Sequence, residues 1–369
     1  MTKVVENHTD IVELLVRICE TPAPTFEESV RGKLLAELFA GVGLESSTDE
    51  VGNVMAALPG GVGPRVLVAA HLDTVFGRDV DVSVRSRRGR LCAPGIGDNS
   101  ASLAVMIACA EALLREADAV YPQLTLAATV GEEGLGDLYG ARHLIETHRE
   151  DFDLFVALDG HLGTIVNTSV GSYRFEICFH AEGGHSWGDF PSPSATHALG
   201  DAIHALNTLS IPREARSSYN VGRVSGGTSI NAIAQEARFN LDLRSVDAIT
   251  LQDLKHEALR RIQRVAKQHR VTVEVEQVGY RAAAQVENGH LVMAAREALL
   301  EAGIEPRTVS SSTDANAAMA AGLPAIALGL YRGGDAHRLS EWLEPASLKT
   351  GFTVLWRFMA HLADLPPGL

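Results

Sequence analysis

The chain has 369 residues, with 46 acidic against 32 basic side chains and a formal charge of −14. That balance excludes nucleic acid as the main partner, because phosphate binding needs a basic face. With 46% hydrophobic and 21% charged residues the composition is that of a globular chain, not a disordered or fibrous one, and the length exceeds what one core usually organises, so two domains are expected.

An α/β pattern opens the chain. Ile11, Leu14, Leu15 and Ile18 keep helical spacing, TPAPT at 21–25 breaks it, and Glu27 to Phe39 repeats it before an entry strand. Arg65-Val-Leu-Val-Ala-Ala then runs into His71, and its unbroken apolar character predicts a strand covered on both faces. A Gly-rich turn, Pro94-Gly-Ile-Gly-Asp-Asn-Ser100, precedes an Ala/Leu-rich helix over about 100–115. A strand over 124–130 ends in Gly131-Glu-Glu-Gly134, a helix covers 138–149, and a strand over 152–158 ends at Asp159-Gly160.

After about 170 the pattern changes. Strands over 172–180, 219–225, 236–244 and 271–278, with helices near 194–209 and 250–268, give the order β-α-β-β-α-β of the split ferredoxin-like unit. In 237–244 the apolar Phe239, Leu241 and Leu243 alternate with Asn240, Asp242 and Arg244, so one face is packed and the other polar. From about 283 the α/β pattern resumes: a helix at 289–302, a polar turn Ser310 to Asn316, a strand over 325–330, Gly333-Gly-Asp-Ala-His337 and a closing helix from about 346. The expected fold is α/β: a three-layer, mixed-sheet domain of residues 1–171 and 283–369, interrupted by an α+β ferredoxin-like domain of residues 172–282.

Cys19, Cys92, Cys109 and Cys178 are far apart with no C-x-x-C pair, a pattern of reduced thiols and not of a disulfide framework or a sulfur-ligated zinc. MTKVVENHTDIVELL lacks the features of a signal peptide, and apolar stretches such as LAVMIACA at 103–110 are too short to span a bilayer. These points predict a cytoplasmic protein with no membrane partner.

His71, Glu132, Glu133 and Asp159 stand just past the apolar ends of buried strands, where open α/β sheets bind ligands. Singly, each has a plain reading as a turn or hydrogen-bonding residue; together with Asp98 and His337 they form a thiol-free imidazole and carboxylate set that suits zinc, or cobalt or manganese, in a hydrolytic site. Two divalent ions are neutralised by three carboxylates and a bridging hydroxide, with one histidine for each ion. One of the adjacent glutamates is then left over as a general base, and residue chemistry alone does not rank Glu132 against Glu133. Asp73, two residues beyond His71, would project to the same side and fix the imidazole tautomer. Gly95-Ile-Gly97-Asp-Asn-Ser100 is a poor dinucleotide loop, since its last position is Ser, an aspartate sits where pyrophosphate would approach and no clear strand enters it; a G-x-S-x-G elbow is absent.

His71-Leu-Asp73-Thr-Val, the Asp98 turn, Thr129-Val-Gly-Glu-Glu133-Gly, Asp159 and Ala336-His337 resemble, in order and spacing, the M20 family of cocatalytic metallopeptidases, with peptidase T-like and carboxypeptidase G2-like members, over nearly the whole chain. The resemblance implies that Asp98 bridges two metal ions, that His71 and Asp159 complete one site and Glu133 and His337 the other, that Glu132 is the base and that Asp73 orients His71. It implies that 172–282 is a lid and dimerisation domain, that His185 in Gly183-Gly-His185-Ser steadies the oxyanion across a homodimer, and that Arg244 and Asn231 contact substrate. The chain departs from the family at Trp187-Gly-Asp189-Phe190-Pro191, at Asn99-Ser100, where a lysine often follows the bridging aspartate, and in the additional His161. The expected activity is exopeptidase hydrolysis of short peptides; the alternatives are a deacylase of N-acyl amino acids and a non-catalytic metal- or peptide-binding relative, which would have no use for Glu132.

Overall fold

The computed structural model describes residues 10–212 and 214–366; residues 1–9, which hold most of the stretch read against a signal peptide, lie outside the described residues. The chain divides into two compact units, one running to Ser169 and resuming at Gln285, the other Val170–Ala284. Each division lies two residues outside the boundary expected from the sequence.

The first unit is built on an eight-stranded mixed sheet in the order Ser46–Thr48, Val54–Ala57, Gln123–Thr129, Arg65–His71, Leu154–Leu158, Ala325–Leu328, Thr164–Ser169 and Arg307–Ser311. The four strands in the middle run parallel. Val66, Val68, Ala70, Leu154, Val156 and Leu158 enter one cluster with the helices Ile11–Cys19, Ser100–Arg115, Gly289–Glu301 and Pro345–Ala363. The alternate residues Leu67, Phe155 and Ala127 are equally buried on the other face. Burial on both faces explains why these strands read as continuous apolar runs.

Register decides what the sheet presents. His71 lies opposite Thr129, and Ala69 opposite Ala157, so His71 and Asp159, two residues further on, emerge at one level. Glu132 and Glu133 follow Thr129 at the same end.

Two departures from the sequence expectation have physical causes. The strands Thr164–Ser169 and Arg307–Ser311 are too polar to announce themselves, the first only half buried and the second without a buried residue. The short strand Arg90–Cys92 does lead into the 94–100 turn; at three residues it has no readable period, and it pairs with Trp342–Leu343, distant in sequence.

The second unit carries a four-stranded antiparallel sheet in the order Ser218–Gly226, Glu236–Ser245, Gly171–His180 and Thr272–Arg281, with the helices Ala195–Leu206 and Ala248–His269. Its own core gathers Phe175, Ile177, Phe179, Phe239, Leu241 and Leu243 with Leu199, Leu254 and Ile262. Order and connectivity are those of the ferredoxin-like βαββαβ unit.

Among the described residues no helix is long and apolar enough to cross a membrane. Because Phe155 is fully buried in the middle of the large sheet, Phe155→Ala is expected to lower the unfolding free energy by about 3–5 kcal/mol. Urea denaturation of the two proteins checks this.

Candidate metal centre

Five segments converge at the C-terminal end of the parallel strands, carrying His71 and Asp73, Asp98, Glu132 and Glu133, Asp159, and His337. His71 is the last residue of its strand and is buried. Its Nδ1 lies 3.0 Å from the backbone carbonyl of Asp73 and 3.4 Å from that residue's Oδ1. Donation from Nδ1–H fixes the ring, so that Nε2 faces Asp98 Oδ1 at 3.0 Å. The other carboxylate oxygen of Asp98, Oδ2, lies 3.1 Å from Nε2 of His337, and His337 Nε2 is also 2.9 Å from Glu133 Oε1. One carboxylate is thereby shared between two imidazoles, an oxygen to each.

Donor atoms of His71, Asp98 and Asp159 all lie within 4.8 Å of one another, as do those of Asp98, Glu133 and His337. The two groups have Asp98 in common. Glu132 stands in a third group with His71 and Glu133 and is buried beside them.

Asp73 does more than hold an imidazole. Its Oδ1 accepts the Glu132 backbone N–H at 3.0 Å and its Oδ2 that of Glu133 at 2.9 Å, while the Thr25 hydroxyl donates to Oδ2 at 2.9 Å. A single buried carboxylate thus ties the His71 strand to the glutamate turn. Although burial opposes its charge, the bond with His71 and the two N–H donors hold its carboxyl below the usual range.

The supporting charges were not legible in the sequence. Glu341, 1% exposed, accepts the backbone N–H groups of Gly95, Gly97 and Asp98 at 2.7, 2.9 and 3.0 Å, and so shapes the turn that presents Asp98. Gly97 has no room for a side chain, since a Cβ there would overlap the Tyr331 ring. Arg31 is buried and donates to the carbonyls of Leu72 and Thr21 at 2.8 Å and of Cys19 at 3.4 Å; burial brings its pKa down to about 10. Glu28 accepts the N–H groups of Phe26 and Gly131. A buried Glu on a helix flank or in a 338–341 turn reads as an ordinary surface residue, because its partners are backbone groups far away in the chain.

The remaining candidates fall elsewhere. His161 packs its ring edge against Tyr331 at 5.1 Å and joins none of the ligand groupings among the described residues. In the second unit, His185 and Asn231 lie on neighbouring short segments, with His185 paired to Ala232 and the Ser186 N–H donating to the Asn231 carbonyl. His185 Nδ1 accepts the N–H groups of Trp187 and Gly188, both at 3.2 Å, which assigns the ring proton to Nε2. Arg244 is bonded to Asp242 at 2.7 Å.

Charge in the cluster is balanced by protons. Burial and the neighbouring Asp98 carboxylate push the Asp159 acid up to about 7. The bonds from Asp98 and Glu133 raise His337 to about 11. Burial opposes charge on Asp98, yet the His337 and His71 bonds outweigh it and hold this carboxyl well below the usual range. Two imidazoles, three carboxylates and no thiol, with one carboxylate already spanning both imidazoles, fit a pair of divalent ions.

The model of peptidase family M20/M25/M40 matches residues 67–361. The chain belongs to that family. M20 members are metal-dependent amide hydrolases, and this protein is such an enzyme. A Pyrococcus furiosus protein named a LysW-lysine/LysW-ornithine hydrolase is 35% identical over 141 residues, 38% of this chain and 39% of that relative's length. A succinyl-diaminopimelate desuccinylase of Corynebacterium glutamicum is 26% identical over 247 residues, 64% of this chain and 66% of its own. In structure the M20 chain is similar to a tripeptidase from Staphylococcus aureus, with a TM-score of 0.84, 20% identity and coverage of 98% and 100% of the two chains; at that identity the likeness concerns the fold.

Two results are expected at this centre. Glu341→Gln leaves three backbone N–H groups facing an amide with one acceptor oxygen, so thermal and urea unfolding should show a loss of about 1–3 kcal/mol, with weaker metal retention on dialysis. A metal ion held by Asp159 and His337 would displace the protons on those groups, so its binding at pH about 6 is expected to release protons and its apparent affinity to rise with pH. Calorimetric titration in buffers of different ionisation enthalpy measures this directly, and binding without proton release would contradict the assignment.

Proposed function

We propose that this M20 enzyme is an exopeptidase acting on short peptides at a two-metal centre. The observation that carries this reading is Asp98, whose two oxygens address His71 and His337 separately. His71, Asp98 and Asp159 would hold one ion and Asp98, Glu133 and His337 the other, with zinc the best match to the donor set and cobalt or manganese acceptable to it. Bound there, the ions would polarise the substrate carbonyl and favour ionisation of the attacking water.

The chain's own residues supply the rest. Glu132, whose backbone is fixed through Asp73, takes a proton from the attacking water and delivers it to the leaving amine. Asp73 keeps the His71 ring oriented. His185, with its proton on Nε2, serves as a donor to the developing oxyanion, acting from a second copy of the chain. Arg244 and Asn231 receive the polar ends of the substrate, and Arg244 would exchange its Asp242 partner for a substrate carboxylate. The homodimer would form through the 170–284 unit, a proposal supported by exposed Trp187, Phe190 and Ile230. A cytoplasmic location is part of the same reading, in keeping with four free thiols.

A second reading, hydrolysis of N-acyl amino acids, is favoured by the desuccinylase relative. Both reactions break an amide bond with the same machinery. Assays of zinc-loaded protein on di- and tripeptides, on the same peptides blocked at either end and on N-acyl amino acids separate them. Cleavage of free peptides is expected; turnover confined to the acyl amino acids would replace the first reading with the second.

Glu132→Gln is expected to reduce kcat by about 10²–10⁴-fold at unchanged metal content. Wild-type turnover by this variant would remove the base assignment. Sedimentation combined with activity tests the second-copy role of His185, since full activity in a strictly monomeric protein contradicts it.

A further inference from the structure

The outer face of the second unit's sheet carries a group of metal-ligating side chains that the amide-hydrolysis site does not use. On the strand Gly171–His180 the residues Phe175, Ile177 and Phe179 face the core. Glu176, Cys178 and His180 alternate with them and share the opposite face. Directly across from His180 is Glu236 on one neighbouring strand; across from Cys178 and Glu176 on the other lie Glu274 and Glu276. Donor atoms of Cys178, His180 and Glu236 lie within 4.8 Å of one another.

This face is poorly satisfied as it stands. His180 Nδ1 is 4.0 Å from Glu236 Oε2 and its Nε2 is 3.5 Å from Glu274 Oε2, too far for good hydrogen bonds. Nε2 is nonetheless shielded from solvent and without a hydrogen-bond partner. Glu176 and Glu276 stand directly opposite each other, a destabilising pairing of like charges. Against these four carboxylates stands Arg238, which donates to Glu236 Oε1 and lies 3.3 Å from Glu176 Oε1. Glu236 Oε2 is left turned toward His180.

We propose that Cys178, His180 and Glu236 bind one divalent ion of the zinc class, separate from the amide-hydrolysis centre. A thiolate, an imidazole and a carboxylate form a borderline-soft set that zinc and cobalt accept, leaving a fourth position to solvent. Binding forms the sulfur–metal bond as the thiol proton passes to solvent. Glu274 then accepts the N–H of the ring nitrogen that does not ligate, the usual carboxylate–histidine–metal arrangement. The ion joins two strands just before Ala181, where the chain leaves the sheet toward His185.

Cobalt substitution of the full-length protein tests the site independently of the hydrolytic reading, because the Asp98 centre contains no sulfur. Wild-type protein loaded with Co²⁺ is expected to show a thiolate-to-cobalt charge-transfer band in the near ultraviolet, and Cys178→Ser to lose it while keeping the wild-type far-ultraviolet circular dichroism spectrum. Asp98→Asn, which disables the other centre, should keep the band. His180→Ala should keep Cys178 but require at least about tenfold more cobalt to develop it. Absence of the band in the wild type, its persistence in Cys178→Ser, or an unchanged titration in His180→Ala would overturn the proposal.

Discussion

The carboxylate of Asp98, divided between His71 and His337, is the contact on which the centre depends. Its two oxygens can meet different imidazoles only if the backbone of residues 95–98 is held rigidly. That holding falls to Glu341, which gathers three consecutive-turn N–H groups on one buried carboxylate, and to the close approach of Gly97 to Tyr331. Burying Asp73, Asp98, Glu133, Asp159 and Glu341 in one region would be prohibitive if all were charged and alone. In the absence of ions the cost is lowered by imidazolium at His337 and by a proton on Asp159. Divalent ions and those protons are therefore alternatives for the same electrostatic task.

The sheet supplies the geometry around that contact. Parallel strands with level ends deliver His71 and Asp159 together, and Asp73 stitches the glutamate turn to the His71 strand through two backbone N–H bonds. Behind them Arg31 donates to the Leu72 carbonyl and Glu28 accepts the Gly131 N–H, so the residues flanking His71, Glu132 and Glu133 are anchored by buried polar side chains. Such outer residues carry no chemistry of their own. They limit the freedom of the groups that do, which is what a preorganised centre requires.

The second unit has a different electrostatic character. Its packed face is a simple apolar core under two helices, whereas its outer face bears a lattice of ion pairs and carboxylates set by strict two-residue alternation. Cys178 belongs to that outer face while remaining largely buried. Reading the four cysteines by spacing alone passes over it, because the C-x-H pair on one strand gains its third partner 56 residues later through cross-strand register.

Apolar periodicity was enough to predict the buried parallel strands, the main helices and the βαββαβ order, since those elements are selected by which faces they bury. The same reading marked His71, Glu132, Glu133 and Asp159, because polar residues at the ends of buried strands stand out against their surroundings, and Asp73 by its two-residue spacing from His71. Family resemblance, not chemistry, distinguished Glu132 from Glu133, and local pattern could not find Glu341, Arg31 or Glu28, whose partners are backbone groups. Only the tertiary structure supplies the scaffold that sets one oxygen of Asp98 against His71 and the other against His337. Hydrogen bonds spanning more than two hundred residues leave no period in the sequence; they exist only once the strands have set their register.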